Sequence, residues 1–307
     1  MTIKYLITGA TGGLGGLVLE YFVANVPLSE FSASSSNANN RSLFARRGIG
    51  FRHLDYEDPS SLDIALAGVE NLLFVSTNTS LIYAERIRTQ HQNVVDAAKK
   101  ANVKHIWYTS LPFGGLTDDS KVVVQQAHLD TEKMLQQSGV TYTSIREGIY
   151  VEAFPLFLNW FPETTHVTLP CDGDIAFTSR EELAECNARI MIRGGYENTT
   201  VLLTAEETIT GKLIIEVINE TTDRHVKLDY LSREQWVHVN ALNDEGKKSQ
   251  RAFEIVASWW ESAARGELRT THGLMRDILG RRPMTPREAV RKLLLEDRNH
   301  RWHQNYA

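Results

Sequence analysis

Between residues 9 and 15 the chain reads Gly9-Ala10-Thr11-Gly12-Gly13-Leu14-Gly15, and this run limits the fold more than any other feature of the sequence. It follows the short apolar stretch Ile3-Lys4-Tyr5-Leu6-Ile7-Thr8 and precedes a helical pattern. Glycines spaced in threes at a strand-to-helix junction let the chain turn tightly and bring backbone amides up to a pyrophosphate. The positive end of the helix dipole then faces the anion. Gly9 and Gly12 serve the turn and the approach, Gly15 permits close helix packing, and Thr11, Gly13 and Leu14 complete the candidate cradle. The spacing alone is a weak signal; a strand before it and a βαβ continuation after it make it a dinucleotide-binding turn.

The rest of the first half supplies that continuation. Short β-branched or apolar runs near 3–8, 31–34, 50–54, 71–76, 103–109 and 141–146 alternate with longer helical patterns. Such alternation predicts an α/β fold, a Rossmann-like doubly wound parallel sheet with helices on both faces. Pro59 opens one helix in its first turn, Lys99 and Lys100 close another, and Gly139 stops a third just before a β-rich segment. Six strands before residue 150 mark residues 1–150 as the cofactor-binding domain. Beyond it the pattern loosens into an aromatic-rich loop and helices near 179–193, 210–220, 232–242, 248–266 and 285–296. Residues 151–307 are expected to form a smaller, mostly helical substrate lobe, with segments free to return to the first domain.

Composition narrows the function classes. The 307 residues are 42% hydrophobic and 23% charged, as in an ordinary soluble globular protein. With 33 basic against 38 acidic residues, the formal net charge of -5 offers no general attraction to nucleic acid or an anionic membrane. Cys171 and Cys186 have neither disulfide nor zinc-ligand spacing, so no metal is expected. No stretch approaches a membrane span and the first apolar run is too short for a signal peptide, which predicts a cytoplasmic protein. The basic side of the helix at 287–295 reads as a solvated face.

An NAD site usually carries Asp or Glu at the end of the second strand to bond the ribose 2′-hydroxyl. Here Ser34, Ser35, Ser36 and Asn37 occupy that region, with Arg41, or else Arg46, downstream. Hydroxyls and a guanidinium suit a 2′-phosphate, so NADP(H) is favoured over NAD(H). The same cluster also fits a plain solvated loop.

Several further segments belong together: Asp55-Tyr56, Tyr108-Thr109-Ser110-Leu111, His128-Leu129-Asp130-Thr131-Glu132-Lys133, Arg146-Glu147-Gly148-Ile149-Tyr150, Gly173-Asp174-Ile175-Ala176, and Gly280 to Pro286. With the glycine turn, they give a chain that resembles the NmrA-like atypical short-chain dehydrogenases over nearly its whole length. It is most similar to their quinone oxidoreductase type 2 and triphenylmethane reductase branch. The resemblance implies that Asp55 lies near the adenine, Ser76, Thr77 and Asn78 beside the cofactor ribose, and Thr109, Ser110 and Leu111 along the nicotinamide. It implies a place for His128 near the nicotinamide ribose. Two departures stand out: the branch commonly has Arg-Asn-Gly where this chain has Arg146-Glu147-Gly148, with a later Asn where Glu152-Ala153 stands. Many members carry Arg in place of Ser36.

No tyrosine of the chain has a lysine four residues later, so the usual Tyr-Lys proton donor of short-chain dehydrogenases is missing. His128, Tyr150 and Ser110 are the candidates for handling a proton. His128, where related reductases often carry lysine, suits proton donation, a bond to a ribose hydroxyl, or a purely structural role. Tyr150 either faces the substrate or wedges between the lobes. Phe113, Phe154, Phe157, Trp160 and Phe161 form either an aromatic wall for a flat substrate or ordinary core. Trp259-Trp260 reads as core plus an interface residue. A weak acid site suits an acceptor that delocalises charge, so the expected function is NAD(P)H-dependent reduction of a quinone or conjugated carbonyl. A cofactor-sensing regulator that binds a protein partner, and a non-redox isomerase or cyclase, are the alternatives. Whether the chain pairs with a second copy is left open.

Overall fold

The computed structural model describes residues 2–77 and 84–302. The strands are β1 (Ile3–Ile7), β2 (Phe31–Ser35), β3 (Gly50–His53), β4 (Val69–Phe74), β5 (His105–Ser110), β6 (Thr141–Glu147), β7 (His166–Leu169), β8 (Thr199–Leu203) and β9 (Lys227–Tyr230). The helices of the first half are α1 (Gly13–Asn25), α2 (Arg41–Ala45), α3 (Pro59–Leu66), α4 (Ala84–Lys100) and α5 (Val123–Ser138). Those of the second half are α6 (Phe154–Leu158), α7 (Arg180–Arg193), α8 (Gly211–Thr222), α9 (Arg233–Asn243), α10 (Gln250–Ala264), α11 (Leu274–Leu279) and α12 (Pro286–Glu296).

Seven strands make one sheet in the order β3-β2-β1-β4-β5-β6-β8. Every ladder in it is parallel, with Tyr5 opposite both Phe31 and Asn71, Asn71 opposite His105, His105 opposite Thr141, and Thr143 opposite Thr199. Strand order reverses between β1 and β4, and in a doubly wound sheet the ligand crevice opens at the carboxyl ends of the two strands flanking that reversal. Both faces of the sheet are covered, so its central strands are apolar throughout and neighbouring residues serve opposite cores. Leu6, Leu72 and Ile106 pack with Leu62, Val94 and Leu135 on one side. Ile7, Leu73 and Trp107 pack with Val18, Phe22 and Leu183 on the other.

Local chemistry sets the helix ends. Asp58 accepts from the Ser60 amide ahead of Pro59, and Ser179, Thr210, Ser249 and Thr285 cap α7, α8, α10 and α12 with their side chains. Gly139, left-handed at φ 78°, ends α5. These match the stops and starts expected from the sequence, and β1 to β6 fall within two residues of their expected positions.

The second half holds strands that its sequence pattern did not show, in two places. The chain returns to the main sheet as β8, whose Thr199–Leu203 pairs with β6, and the preceding α7 packs with α1 through Leu183 and Ile190. β7 and β9 form a small parallel pair of their own, Val167 opposite Leu228. These strands lie outside the regular strand–helix alternation that marked β1 to β6, so nothing local set them apart from loop. A third core, which holds Phe154, Trp160, Trp236 and Trp260, lies beneath the helices beyond residue 150. No helix among the described residues is long and apolar enough to cross a membrane.

Candidate active site and cofactor cleft

A cleft of about 570 Å³ runs from the glycine turn, along the carboxyl ends of the sheet, to an apolar end formed by the second half of the chain. Thr11, Gly12, Gly13 and Leu14 line its beginning, with Gly9 and Gly15 beside them. Gly9 sits at φ +60°, a conformation that disfavours any side chain. A Cβ at Gly15 would overlap the Gly9 carbonyl oxygen and lie 2.6 Å from that of Thr8, so only glycine lets α1 start this close to β1. Gly12 precedes α1 and provides no side-chain cap, leaving the first-turn amides to whatever sits in the cradle. This geometry fits a diphosphate.

Arg180 adds charge to the turn. A Cβ at Gly13 would lie 2.7 Å from its guanidinium carbon, so the group rests against the glycine backbone. The guanidinium also stacks between the rings of Tyr150 and Trp302, 5.9 and 5.8 Å from their centres, and its Nε is buried without a hydrogen-bond partner. Sequence reasoning missed Arg180 because no spacing relates it to Gly13; only the packing of α7 on α1 joins them.

Ser34, Ser35 and Ser36 line the cleft where the adenosine ribose of a dinucleotide would lie. Their hydroxyls are already engaged in part: Ser34 donates to the Ile7 carbonyl, and Ser35 accepts from the Asn37 amide and the Asn40 side chain. Asn37 and Arg41 stand outside the lining, Asn37 capping a turn through the Asn39 amide and Arg41 stacked 5.3 Å from the Phe51 ring centre. His53 comes to this end instead, and its Nε2 donates to the Ser36 carbonyl at 2.9 Å. Asp55 lines the cleft, its carboxylate accepting from the Glu57 amide. Tyr56 donates to the Val75 carbonyl and contacts Thr8, whose hydroxyl in turn accepts from the Val75 amide. That knot holds β1 and β4 together where the crevice opens.

Ser76, Thr77, Thr109 and Leu111 line the middle. The Ser76 amide donates to the Thr109 hydroxyl, and the Thr77 amide to His91 Nε2. Asn78 lies outside the described residues. Ser110, by contrast, points away from the cleft: it is 2% exposed and donates to Glu132 Oε1 at 2.7 Å. Glu132 also accepts the Ser144 hydroxyl and two hydrogen bonds from Arg146, which in turn donates to the Gly115 and Thr117 carbonyls.

His128 lines the cleft beyond Thr109, with Nδ1 2.7 Å from the Tyr108 hydroxyl. Burial pushes its pKa down to about 4, with Glu132 opposing and Arg146 assisting, while burial raises Tyr108 well above the usual tyrosine range. At neutral pH the tyrosine therefore keeps its proton and the imidazole is uncharged, with one ring nitrogen donating and the other accepting.

Tyr150 also lines the cleft, and its hydroxyl donates to Glu147 Oε2 at 2.6 Å. Of the five aromatics expected to form a wall, Phe113 and Phe157 do line the apolar end. Phe154 and Trp160 stack on each other in the core, 5.6 Å between ring centres, and Phe161 also stands outside the lining. Their places are taken by Leu156 and Trp259, the latter tilted on Phe157 at 5.3 Å, while Trp302 lines the cleft where Arg180 stacks on it. The sequence showed a helical Trp pair but not its phase; Trp260 turns inward to donate to the Phe157 carbonyl, which leaves Trp259 at the cleft. No group of three or more potential metal ligands occurs among the described residues, and both cysteines are free thiols.

Comparison with known proteins agrees with this geometry. The NmrA-like family matches residues 1–276. The chain is 65% identical to an NmrA-like family domain-containing oxidoreductase, flvB, of Aspergillus flavus over 99% of both chains. It is 32% identical to quinone oxidoreductase 2 of Escherichia coli, over 94% of this chain and 97% of the other. Among solved structures, triphenylmethane reductase of Citrobacter sp., complexed with NADP(H), superimposes with a TM-score of 0.83 at 31% identity, over 95% of this chain and 99% of that one. A cleft floored by a glycine turn, on a doubly wound sheet matched over nearly all its length, places the chain in the NmrA-like family as an NAD(P)-binding oxidoreductase.

Proposed function

We propose that the protein uses NADPH to reduce a flat, conjugated carbonyl compound of the quinone class. The observation that carries this reading is the polarity of the single continuous cleft. One end is a phosphate cradle with Arg180 against it and Trp302 stacked on that guanidinium, the other is walled by Phe113, Phe157 and Trp259, and the polar groups His128 and Tyr150 also line the cleft. Aromatic walls favour planar ligands that stack, and they exclude water. The relatives named for quinones and for triphenylmethane dyes support acceptors of that shape.

The bound nicotinamide supplies a hydride; the chain supplies position and charge. The amides of Gly12 to Leu14 and the Arg180 guanidinium would hold the diphosphate. At the far ribose, Ser36, with its carbonyl held by His53, would meet the 2′ position, and no carboxylate stands at the end of β2 to repel a phosphate, which favours NADPH. His128, neutral, would bond a ribose hydroxyl. Tyr150 would donate to the acceptor oxygen as charge develops there.

A panel of quinones and conjugated ketones, followed by the loss of reduced-nicotinamide absorbance, tests the reading. Oxidation of NADPH equimolar with acceptor, faster than that of NADH, is expected. Tight cofactor binding without turnover on any acceptor would overturn it.

A further inference from the structure

Behind Tyr150, just outside the cleft lining, lies a carboxyl that the reaction above does not use. Glu147 is the last residue of β6 and only 1% exposed. Its Oε2 accepts the Tyr150 hydroxyl at 2.6 Å and its Oε1 accepts Asn187 Nδ2, from α7, at 2.7 Å. The orientation of Asn187 follows from its other bond. The same nitrogen donates to the Leu183 carbonyl at 2.8 Å, and a carbonyl can only accept. Oε1 is thus reserved as an acceptor, and a proton on this carboxyl belongs on Oε2, where it reverses the bond, so that the Tyr150 hydroxyl accepts from Glu147 and is free to donate its own proton into the cleft.

The electrical surroundings are sparse. Among the described residues no ion pair holds Glu147 ionised; the charged group nearest its partner is Arg180, stacked on the Tyr150 ring. Burial raises the carboxyl to about 7, against the pull of the two hydrogen bonds. An acid poised near working pH suits proton transfer. An asparagine, which the resemblance leads one to expect at this position, would hold Tyr150 in place but could release no proton.

We infer that Glu147 is the proton store of the site, passing a proton through the Tyr150 hydroxyl to the acceptor oxygen. The inference rests on the reductase reading. As the acceptor carbon system takes up hydride, negative charge grows on its oxygen, and the Tyr150 O–H bond breaks as a new O–H bond forms there. Tyr150 Oη takes the proton from Glu147 Oε2, and the carboxylate regains a proton from water once product leaves. Tyr150 touches the acceptor; Glu147 acts through it and also positions it.

The test compares pH profiles of turnover at saturating NADPH and acceptor for the wild type, Glu147→Gln and Asn187→Ala. The wild-type rate is expected to fall about tenfold per pH unit above pH ~7 as the acid ionises. Glu147→Gln should lower the acidic plateau about 10²-fold and abolish that limb, with NADPH affinity unchanged as a check on folding. Asn187→Ala removes a bond that favours the ionised form, so its limb should move to higher pH. In cofactor-free enzyme, the infrared band of a protonated carboxyl should disappear with a midpoint near pH ~7 and be missing from Glu147→Gln. A limb that survives in Glu147→Gln, or a carboxyl already ionised below pH ~5, overturns the relay alone. A wild type that oxidises NADPH with no acceptor overturns the reductase reading, and the relay falls with it.

Discussion

Gly13 and Arg180 show how two residues of unrelated sequence position can share one function. The missing side chain at Gly13 is the space that the guanidinium fills. Gly13→Ala should therefore displace Arg180 without unfolding the chain, because the atom that must yield is the end of a flexible side chain. Charge-assisted bonds contribute about 1.5–3 kcal/mol, so Arg180→Ala should weaken NADPH binding roughly tenfold to a hundredfold. Gly13→Ala should do nearly the same, and the double variant should be little worse than Arg180→Ala; fully additive losses in a fluorescence titration would contradict the shared role. Titration makes a second prediction at this scale. Burial lowers His91 well below its ordinary value and both His105 and His128 to about 4, so the unfolded chain binds these protons first. Their contribution to stability is complete above pH ~6.5 and is lost as pH falls below it, at about 1.4 kcal/mol per pH unit for each, down to about 4 for His105 and His128. Glu147 runs the other way, since its raised pKa makes the folded state hold the proton longer and removes stability as pH rises from about 4.5 through 7. Thermal melts should show the midpoint falling from pH 6.5 to 5 in the wild type, with the three histidines outweighing the single glutamate; a flat profile would refute it.

Two groups of elements place the site. The loop after β5 is tied down from beneath by Arg146 and Glu132, both nearly inaccessible, with Asp118 at the rim. Because Arg146 bonds the Gly115 and Thr117 carbonyls while Glu132 takes Ser110 and Ser144, this pair locks β5, β6, α5 and the loop that carries Leu111 and Phe113. Removing one partner leaves the other charge buried and unpaired, so Glu132→Ala should cost about 3–5 kcal/mol in denaturant unfolding. A cost under about 1 kcal/mol would mean the pair is incidental. On the other side, the Val151 amide bonds the Thr178 carbonyl, and the Thr178 amide bonds that of Ile149. This short stitch delivers α7 to the cleft with Arg180 at its first turn and Asn187 two turns later on the same face. One helix thus serves both the phosphate cradle and the carboxyl behind Tyr150.

At the scale of the whole molecule, the cleft is assembled from distant parts of the chain: Phe113 after β5, Phe157 on α6 and Trp259 on α10 at its apolar end, and Trp302 beyond α12 on the Arg180 guanidinium. His300, through its bond with the Glu152 carbonyl, anchors the stretch that brings Trp302 in. Trp259→Ala removes aromatic surface from the acceptor end, worth about 1–2 kcal/mol of stacking and burial, so KM for the acceptor should rise roughly tenfold while kcat changes less. An unchanged KM would place the ring outside the acceptor site.

Six of the seven strands of the sheet were legible in the sequence because each is a run of apolar residues flanked by turn and cap signals that act within a few residues. β8 was not, because Thr199–Leu203 is a strand only by virtue of the β6 edge it joins. The site divides along the same line. Gly9, Gly12 and Gly15 declare themselves, since the demands of a tight turn are local and only glycine meets them. The hydroxyl run from Ser34 to Ser36 and the candidate His128 were also visible, although the neutral state of His128 comes from its burial beside Tyr108. Ser110 and Phe154 could not be separated from cleft residues by sequence, because which way a side chain faces at the end of a strand or in a loop depends on what packs beneath it. The amino-acid sequence by itself determined a dinucleotide turn on a doubly wound sheet, through short-range backbone sterics and hydrophobic periodicity. Only the tertiary structure decided that Arg180 closes the turn, that Trp259 and Trp302 wall the cleft, and that Glu147 stands protonatable behind Tyr150. Those are products of long-range packing and desolvation, which no local pattern encodes.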